Sequence, residues 1–438
     1  MIQDWISEFP QVSEEQWKSQ LLKELKGDES KLTNFDEIEE ISYSTYHHPE
    51  KFSVPNAGAN KLSIQRGFLK SDNSWLNGVE IIIQDEKSAN EEALKVLMSG
   101  ANFLRFISKG KTNWNQVLEN IGIEYIHTTF CLSNVDELND LFSLLGDEKL
   151  KNCSFSFQSE ALKNADWTEK FHSFAIPLIE IDGFSINQCG ANAIQELAYV
   201  SQKAHSSLVD LLNLGFTVDE ASAFIHFKMG IGSNYLVEVA KFRALKILWA
   251  NILKPYNPLH HCSYNCQITA QSGWVNKSLK DPYTNLLRQT TEGMSAVLGG
   301  VDRLIIQPYD TCSTEGKSDF SQRMALNISN LLNDESFLNA VCDPFGGSYA
   351  IEDLTKTLTE KAWDVFKKLD KMESNEMDKY WKTSIESKAQ QRIRLLKEGE
   401  KLLIGVNKYL NPHPHNMEWS QPSTFMNMSY VRLETEVQ

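Results

Sequence analysis

Two side chains able to grip an anion stand in the segment SAFIHFKMG. His226 and Lys228 are two residues apart, so in an extended strand they share one face. A lysine beside a histidine in a shielded position attracts carboxylate or phosphate, and the competing reading is polar filler beside Glu180 or Asp182. Metal chemistry is offered twice. The run HHCSYNC brings His260, His261, Cys262 and Cys266 together, but no second Cys/His pair follows at zinc-like spacing, and packed thiols of a strand are the simpler expectation. His47, His48 and Glu50 (HHPE) read most simply as a polar loop. Gly346 and Gly347 are a weak phosphate signal, and a turn accounts for them. The acidic stretch FDEIEEIS, with Asp36, Glu37, Glu39 and Glu40, reads as a solvated face.

These side chains sit in a chain of 438 residues that is 41% apolar and 23% charged, enough to bury a large core. With 43 basic and 58 acidic residues the net charge is −15, which argues against sequence-independent binding to nucleic acid or to an anionic membrane. No apolar run reaches the ~18 residues of a membrane span. The start, MIQDWISEFPQ, lacks the basic residues and apolar stretch of a secretion signal, so the cytoplasm is the expected compartment. Seven scattered cysteines fit reduced thiols better than a disulfide framework.

The elements that must position the polar groups follow from hydrophobic periodicity. Residues 1–75 read as an N-terminal arm with a helix over 14–25 and then an acidic, turn-rich stretch. Strand-like runs follow at GVEIIIQ, NFLRFIS, EYIHTTFCL, NCSFSFQ, IPLIEIDG, SAFIHFKMG, HCSYNCQIT and RLIIQPY, each trailed by helical spacing. Eight β/α units point to a closed (β/α)8 TIM barrel over 76–350, in the α/β class. Helices are expected at 320–333, 354–372 and 375–399, the last two within a C-terminal helical region over 351–410. Residues 411–438 form a tail or the start of a linker.

The outside of such a barrel packs on its helices, so polar alternation within a strand must face the lumen. Ser154, Ser156 and Gln158 share a face, as do Ser263, Asn265, Gln267 and Thr269, and as do Phe224, His226 and Lys228. Glu80 with Gln84, Glu180 with Asp182, and Arg303 with Gln307 behave alike. Ordinary barrel interiors hold branched aliphatics. A polar one is either a channel for water or an elongated ligand, or a hydrogen-bond network satisfied by itself.

Four long runs carry a family resemblance. GFSINQCGANAIQELAYV, GIGSNYLVEVAKFRALKILWA, QSGWVNKSLKDPYTNLLRQTTEGMSAVLGG and DPFGGSYAIEDLT resemble, in order, the barrel domain of cobalamin-dependent methylmalonyl-CoA mutases, and GVNKY resembles the barrel exit. The resemblance implies an acyl-CoA threaded along the barrel, with adenosylcobalamin over the strand ends supplying the radical chemistry. The family's Asp-x-His-x-x-Gly cobalt-ligand loop is found nowhere in the chain, and His413 and His415 (NPHPHN) read as solvated loop histidines. No cofactor is therefore expected on this chain.

The substrate grip also departs from the family pattern. The resemblance places Glu80 where catalytic chains carry a tyrosine over the reacting radical, and Phe184-Ser185 where a Tyr-His pair reaches the thioester. It places Phe224 where an arginine clamps the free carboxylate, Ala270 in place of a glutamine, and Gln307 in place of an asparagine. These positions are expected at or near the C-terminal ends of strands, where barrel enzymes do their chemistry. The pattern resembles the family's small, β-type subunit, which keeps the barrel and pairs with a catalytic large subunit holding adenosylcobalamin.

Three functions follow as expectations: a non-catalytic subunit of a mutase heterodimer; an acyl-CoA isomerase of altered specificity that grips substrate with His226 and Lys228; or a CoA-ester binding protein using the open barrel. In the first, Trp5, Phe9, Trp17, Leu21 and Leu22 form an amphipathic stripe of the arm that packs either on the partner or on the chain's own barrel.

Overall fold

The computed structural model describes residues 12–48, 50, 70–133, 136–157 and 176–437. Trp5, Phe9 and Gln158 lie outside them. In chain order the arm contributes α1 (Glu14–Glu24) and the antiparallel strands β1 (Thr33–Asp36) and β2 (Ile41–Ser44). Then follow β3 (Leu76–Ile83), α2 (Glu86–Leu97), β4 (Phe103–Ser108), α3 (Trp114–Val117), β5 (His127–Cys131), α4 (Asp136–Leu150) and β6 (Cys153–Ser156). The second half runs β7 (Ile179–Asp182), α5 (Gly183–Gln188), α6 (Ala193–Asn213), α7 (Val218–Phe224), β8 (Ile225–Ile231), α8 (Tyr235–Leu253), β9 (Ile268–Ser272), α9 (Thr284–Leu298) and β10 (Arg303–Ile305). The chain closes with α10 (Asp319–Asn330), α11 (Tyr349–Leu369), α12 (Ser374–Lys397), the two-residue strands β11 (Thr424–Phe425) and β12 (Met428–Ser429), and α13 (Leu433–Glu436).

Strands β3 to β10 pair in parallel in the ring order β6-β5-β4-β3-β10-β9-β8-β7. The ring closes between β6 and β7 through Phe155 N–H to Pro177 O at 2.8 Å and Phe157 N–H to Leu178 O at 3.2 Å. This is the expected α/β TIM barrel. Its register places Glu80, Arg105, Thr129 and Ser154 side by side across four strands, and Arg303, Thr269, Lys228 and Asp182 across four others.

The helices start where their caps dictate. Asn192 with Gln195 and Thr217 with Glu220 form capping boxes at α6 and α7, each side chain satisfying the other residue's orphan N–H. Ala89, Ala93 and Val96 line the buried face of α2 at helical spacing. Helix α8 differs, being buried around nearly its whole circumference, because the barrel lies on one side and α11 on the other.

Two predicted strands are shorter than their apolar patterns. The Thr217 capping box extends helix α7 through Phe224, so the sixth strand starts at Ile225. The seventh starts at Ile268, and HCSY ahead of it is a 3-10 turn. Asp219 bends it, accepting from Leu259 N–H at 3.0 Å and His260 N–H at 3.1 Å, so Ser263 and Asn265 are not on a strand face. All seven cysteines are free. Among the described residues no helix is long and apolar enough to cross a membrane.

The acidic stretch of the arm is docked, a correction to its reading as a solvated face. Lys401 meets Asp36 at 3.0 Å, Arg394 meets Glu37 at 3.5 Å, Arg392 meets Glu39 at 3.4 Å and Lys388 meets Glu40 at 2.7 Å. Asn192 also donates to Ile38 O at 2.8 Å, so the β1–β2 hairpin is tied to both α6 and α12. Helix α1 buries none of its residues fully, and Trp17 stacks on Tyr46 at 4.1 Å.

Candidate functional site

The barrel lumen holds a closed set of charges. Glu80 of β3 accepts through Oε2 from Arg105 Nε at 3.1 Å and from Lys228 Nζ at 3.2 Å. Its Oε1 accepts from Gln307 at 3.3 Å and Gln271 at 3.4 Å. Arg105 then turns its two terminal nitrogens onto both oxygens of Glu180, each at 2.8 Å, the bidentate geometry that makes arginine–carboxylate pairs strong. Two cations thus balance two carboxylates. Burial pushes Glu80 toward the neutral form, but Lys228 and Arg105 outweigh it and hold its carboxyl at about 2. Glu180 is lowered in the same way, burial being overcome by Arg105 and then His226.

Below this network the lumen is packed. An ideal Cβ on Gly78 would lie 2.5 Å from the Phe103 ring and 2.9 Å from Ile305, so only glycine leaves room for both. His226 is fully buried, its Nε2 2.8 Å from Phe155 O, and burial drops its pKa to about 4. Of the two candidate anion-gripping residues, Lys228 is therefore engaged by Glu80 and His226 by a backbone carbonyl.

At the strand ends, Asp182 caps α5, accepting from Ser185 N–H at 3.0 Å and Ser185 Oγ at 2.5 Å. Tyr430 from the C-terminal segment donates to Ser185 Oγ at 2.8 Å, and the Phe184 ring covers the Lys228 ammonium at 4.6 Å. The same segment is laced to the barrel by Val431 N–H to Gln188 O at 2.8 Å and Leu433 N–H to Val275 O at 3.0 Å. Glu434, 2% exposed, accepts from Leu279 N–H at 2.8 Å and from Trp419 Nε1 at 2.9 Å. Residues 411–437 are thus part of the barrel's upper face. His415 is held there too, by its N–H to Lys280 O at 3.0 Å and by its ring against Tyr283, whereas His413 is exposed.

The departures from the family pattern fall in different places. Glu80 and Gln307 meet in the lumen, and Phe184 and Ser185 sit just above it. Phe224 does not belong with them, which corrects its placement near a C-terminal strand end. It precedes β8 at the opposite end of the barrel and packs edge-on against Phe216 at 5.1 Å. Ala270 is also displaced from the expected site. Thr269 and Gln271 share the lumenal face of β9, and the alternation turns Ala270 outward into the apolar core. Arg105, central to the network, is absent from the sequence-derived set. Its signal was its parity within FLRFIS, where a lone cation among apolar residues faces the same side as Phe103.

Other motifs resolve into structural contacts. Among the described residues no group of three or more His, Cys, Asp or Glu could hold a metal. His47 lies 3.4 Å from Asp353, and His48 lies 2.9 Å from Val12 O. Gly346 closes a turn onto Asp343 O at 2.8 Å, and Asp343 in turn grips Arg243. Buried Lys241 joins Glu196 at 2.9 Å and Glu238 at 2.7 Å, while Lys277 joins Glu292 at 2.7 Å.

Comparison with known proteins agrees with the runs quoted above. A family model described as methylmalonyl-CoA mutase matches residues 160–434. The chain is 31% identical over 395 residues to the methylmalonyl-CoA mutase small subunit of Porphyromonas gingivalis, covering 82% of this chain and 63% of that protein. It is 34% identical over 236 residues to the methylmalonyl-CoA mutase of Cereibacter sphaeroides, covering 53% of this chain and 33% of that one. The matched stretch therefore spans less than two thirds of either relative.

Proposed function

Because the chain belongs to the methylmalonyl-CoA mutase family, we propose that it is a small, non-catalytic subunit of such a mutase. In this reading a homologous large subunit binds adenosylcobalamin and interconverts methylmalonyl-CoA and succinyl-CoA, and this chain supports it as a cytoplasmic heterodimer. The observation that carries the reading is the filled lumen. A threaded acyl-CoA would have to displace Glu80, Arg105, Glu180 and Lys228 from one another, leaving buried charges unpaired at a cost of several kcal/mol each.

The strand-end face supports the same reading. Its residues do not fit a corrinoid cofactor, since Tyr430, Val431 and Leu433 are bonded across α5 and the loop after β9. No reaction step is assigned to Ser185, whose hydroxyl is spent between Asp182 and Tyr430. His226 and Lys228 serve as internal partners in place of a substrate grip. The barrel is then retained for its outer surface, and a stable pair should bury on the order of 2,000 Å² or more. The arm adds to that surface, with Phe35 62% exposed.

The test is co-expression with a methylmalonyl-CoA mutase large subunit, followed by succinyl-CoA assays of each chain and of the pair. Co-elution, with turnover only when the large subunit is present, is the expected result. Turnover by this chain alone with adenosylcobalamin, above a heat-inactivated control, overturns it.

A further inference from the structure

Between α6, α8 and the end of β8, two carboxylates share one ammonium. Glu196 and Glu238 meet Lys241 Nζ at 2.9 and 2.7 Å, and the lysine's third proton goes to Gly230 O at 2.9 Å. Glu196 and Lys241 are fully buried and Glu238 is 5% exposed. Among the described residues these are the charges that face one another. Helix α8 supplies Glu238 and Lys241, α6 supplies Glu196, and β8 and α5 add the backbone at Gly230 and Gly232 and the Asn187 amide. With both carboxyls ionised the cluster has one negative charge in excess, and two buried carboxylates on a single cation tend to keep a proton.

The donors say which carboxyl keeps it. Glu196 is well served as an anion, Oε1 accepting from Gly230 N–H at 2.8 Å and Oε2 from Asn187 Nδ2 and Lys241 Nζ, each at 2.9 Å. Glu238 Oε2 touches the ammonium but is buried without an aligned hydrogen bond. Burial raises both carboxyls against the pull of Lys241, and it carries Glu238 to about 7. The same groups lead to the upper face of the barrel. Asn187 accepts from Gln188 Nε2 at 3.0 Å, and Gln188 takes Trp274 N–H on its side chain and Val431 N–H on its carbonyl, both at 2.8 Å. Glu196 is thus joined to the C-terminal segment through two consecutive residues of α5.

We propose that Glu238 is a proton-controlled catch for the C-terminal segment that seals the barrel's upper face. Protonated, it leaves Glu196 and Lys241 as a balanced pair that fixes Asn187 and, through Gln188, Val431. Ionised, it adds a buried charge without a cation, which is relieved only when water enters beside Glu196 and that chain of bonds loosens. Its folded pKa lies above the ordinary 4.5, so the stabilisation is whole below 4.5 and fades as the pH rises through 7. The device is independent of the subunit role proposed above and stands if that role fails.

Hydrogen exchange of the full chain, read by mass spectrometry at pH 6 and pH 8.5 and corrected for the intrinsic effect of pH on exchange, tests this. Protection of the peptide that carries Val431 and Leu433 should fall by about tenfold or more at the higher pH, while that of α2, remote from the cluster, stays constant. E238Q, neutral at both values, should abolish the difference, and E238M does the same without a polar head, which guards against misfolding of E238Q. Protection of the segment that is independent of pH in the unaltered chain overturns the proposal. So does an equal loss in α2, which marks global unfolding, or a pH difference that persists in folded E238Q or E238M.

Discussion

Arg243 and Asp343, one hundred residues apart in the chain, meet through two parallel hydrogen bonds, Nε to Oδ1 at 2.8 Å and Nη2 to Oδ2 at 3.1 Å. The arginine belongs to α8 and the aspartate to the turn before α11, so the pair fastens a C-terminal helix to the barrel. Thr355 and Glu352 complete the grip at 2.9 and 2.6 Å. Replacing Arg243 by Met leaves Asp343 buried without a cation and should cost about 3–5 kcal/mol in urea unfolding. Glu352→Gln should cost less, because its carboxylate is 22% exposed and keeps water as a partner.

Arg105→Met strands Glu180 and leaves Glu80 with Lys228 as its one cation, and it should cost a similar amount, about 3–5 kcal/mol. Arg105→Met combined with Glu180→Leu removes a matched pair, and most of the loss should return. A double variant no more stable than Arg105→Met would mean that the pair is not a unit.

Stability should fall steeply in acid. Glu80 is held at about 2, below its ordinary 4.5, so its contribution is whole above 4.5 and is lost as the pH falls toward 2. His226, lowered to about 4 by burial, contributes stability that is whole above 6.5 and is lost as the pH falls through 4. Glu238 acts in the opposite sense. Burial raises it to about 7, so its contribution is whole below 4.5 and is lost as the pH rises through 7. Urea midpoints across pH 3–8 should show the two opposing trends between pH 4.5 and 6.5, and His226→Phe should remove the histidine's share there.

The C-terminal segment gives an independent readout through Cys189, which is 2% exposed and has its thiol 3.8 Å from Met428 O. Removing residues 424–438 should raise the rate of Cys189 alkylation at least tenfold, as followed by mass spectrometry, while the barrel's circular dichroism persists. An unchanged rate would show that the segment does not cover α5.

Strand parity made the barrel and the polar nature of its lumen legible, because Glu80, Glu180, Lys228 and Gln307 each alternate with apolar neighbours. Parity gives a face and not a partner. It could not tell that Arg105 bridges Glu80 to Glu180: Glu80 lies beside it on the neighbouring strand, but Glu180, 75 residues on, comes within reach only across the closed ring. It failed at strand starts, where capping at Thr217 and the turn around Asp219 override the apolar pattern. The acidic FDEIEEIS deceived for a related reason: its four partners lie on α12 and the loop after it, far along the chain.

Gly273 offers a test of packing above the lumen. A Cβ there would stand 1.9 Å from Gln188 Nε2, whose Oε1 accepts from Trp274 N–H at 2.8 Å. Gly273→Ala should therefore expel the glutamine and cost about 1–3 kcal/mol, and adding Gln188→Ala should relieve the clash. Thermal midpoints of the three variants decide it.

The enclosure of α8 bears on where this polypeptide can be divided. A segment ending near residue 350 would contain every strand of the ring, yet it would lack the helix that packs along α8. It would also lack Glu352 and Thr355, which complete the grip on Arg243. Such a fragment would present a greasy, half-charged flank to water and invite aggregation. The barrel is therefore no autonomous module. A fragment meant to keep the ring folded should run through α11.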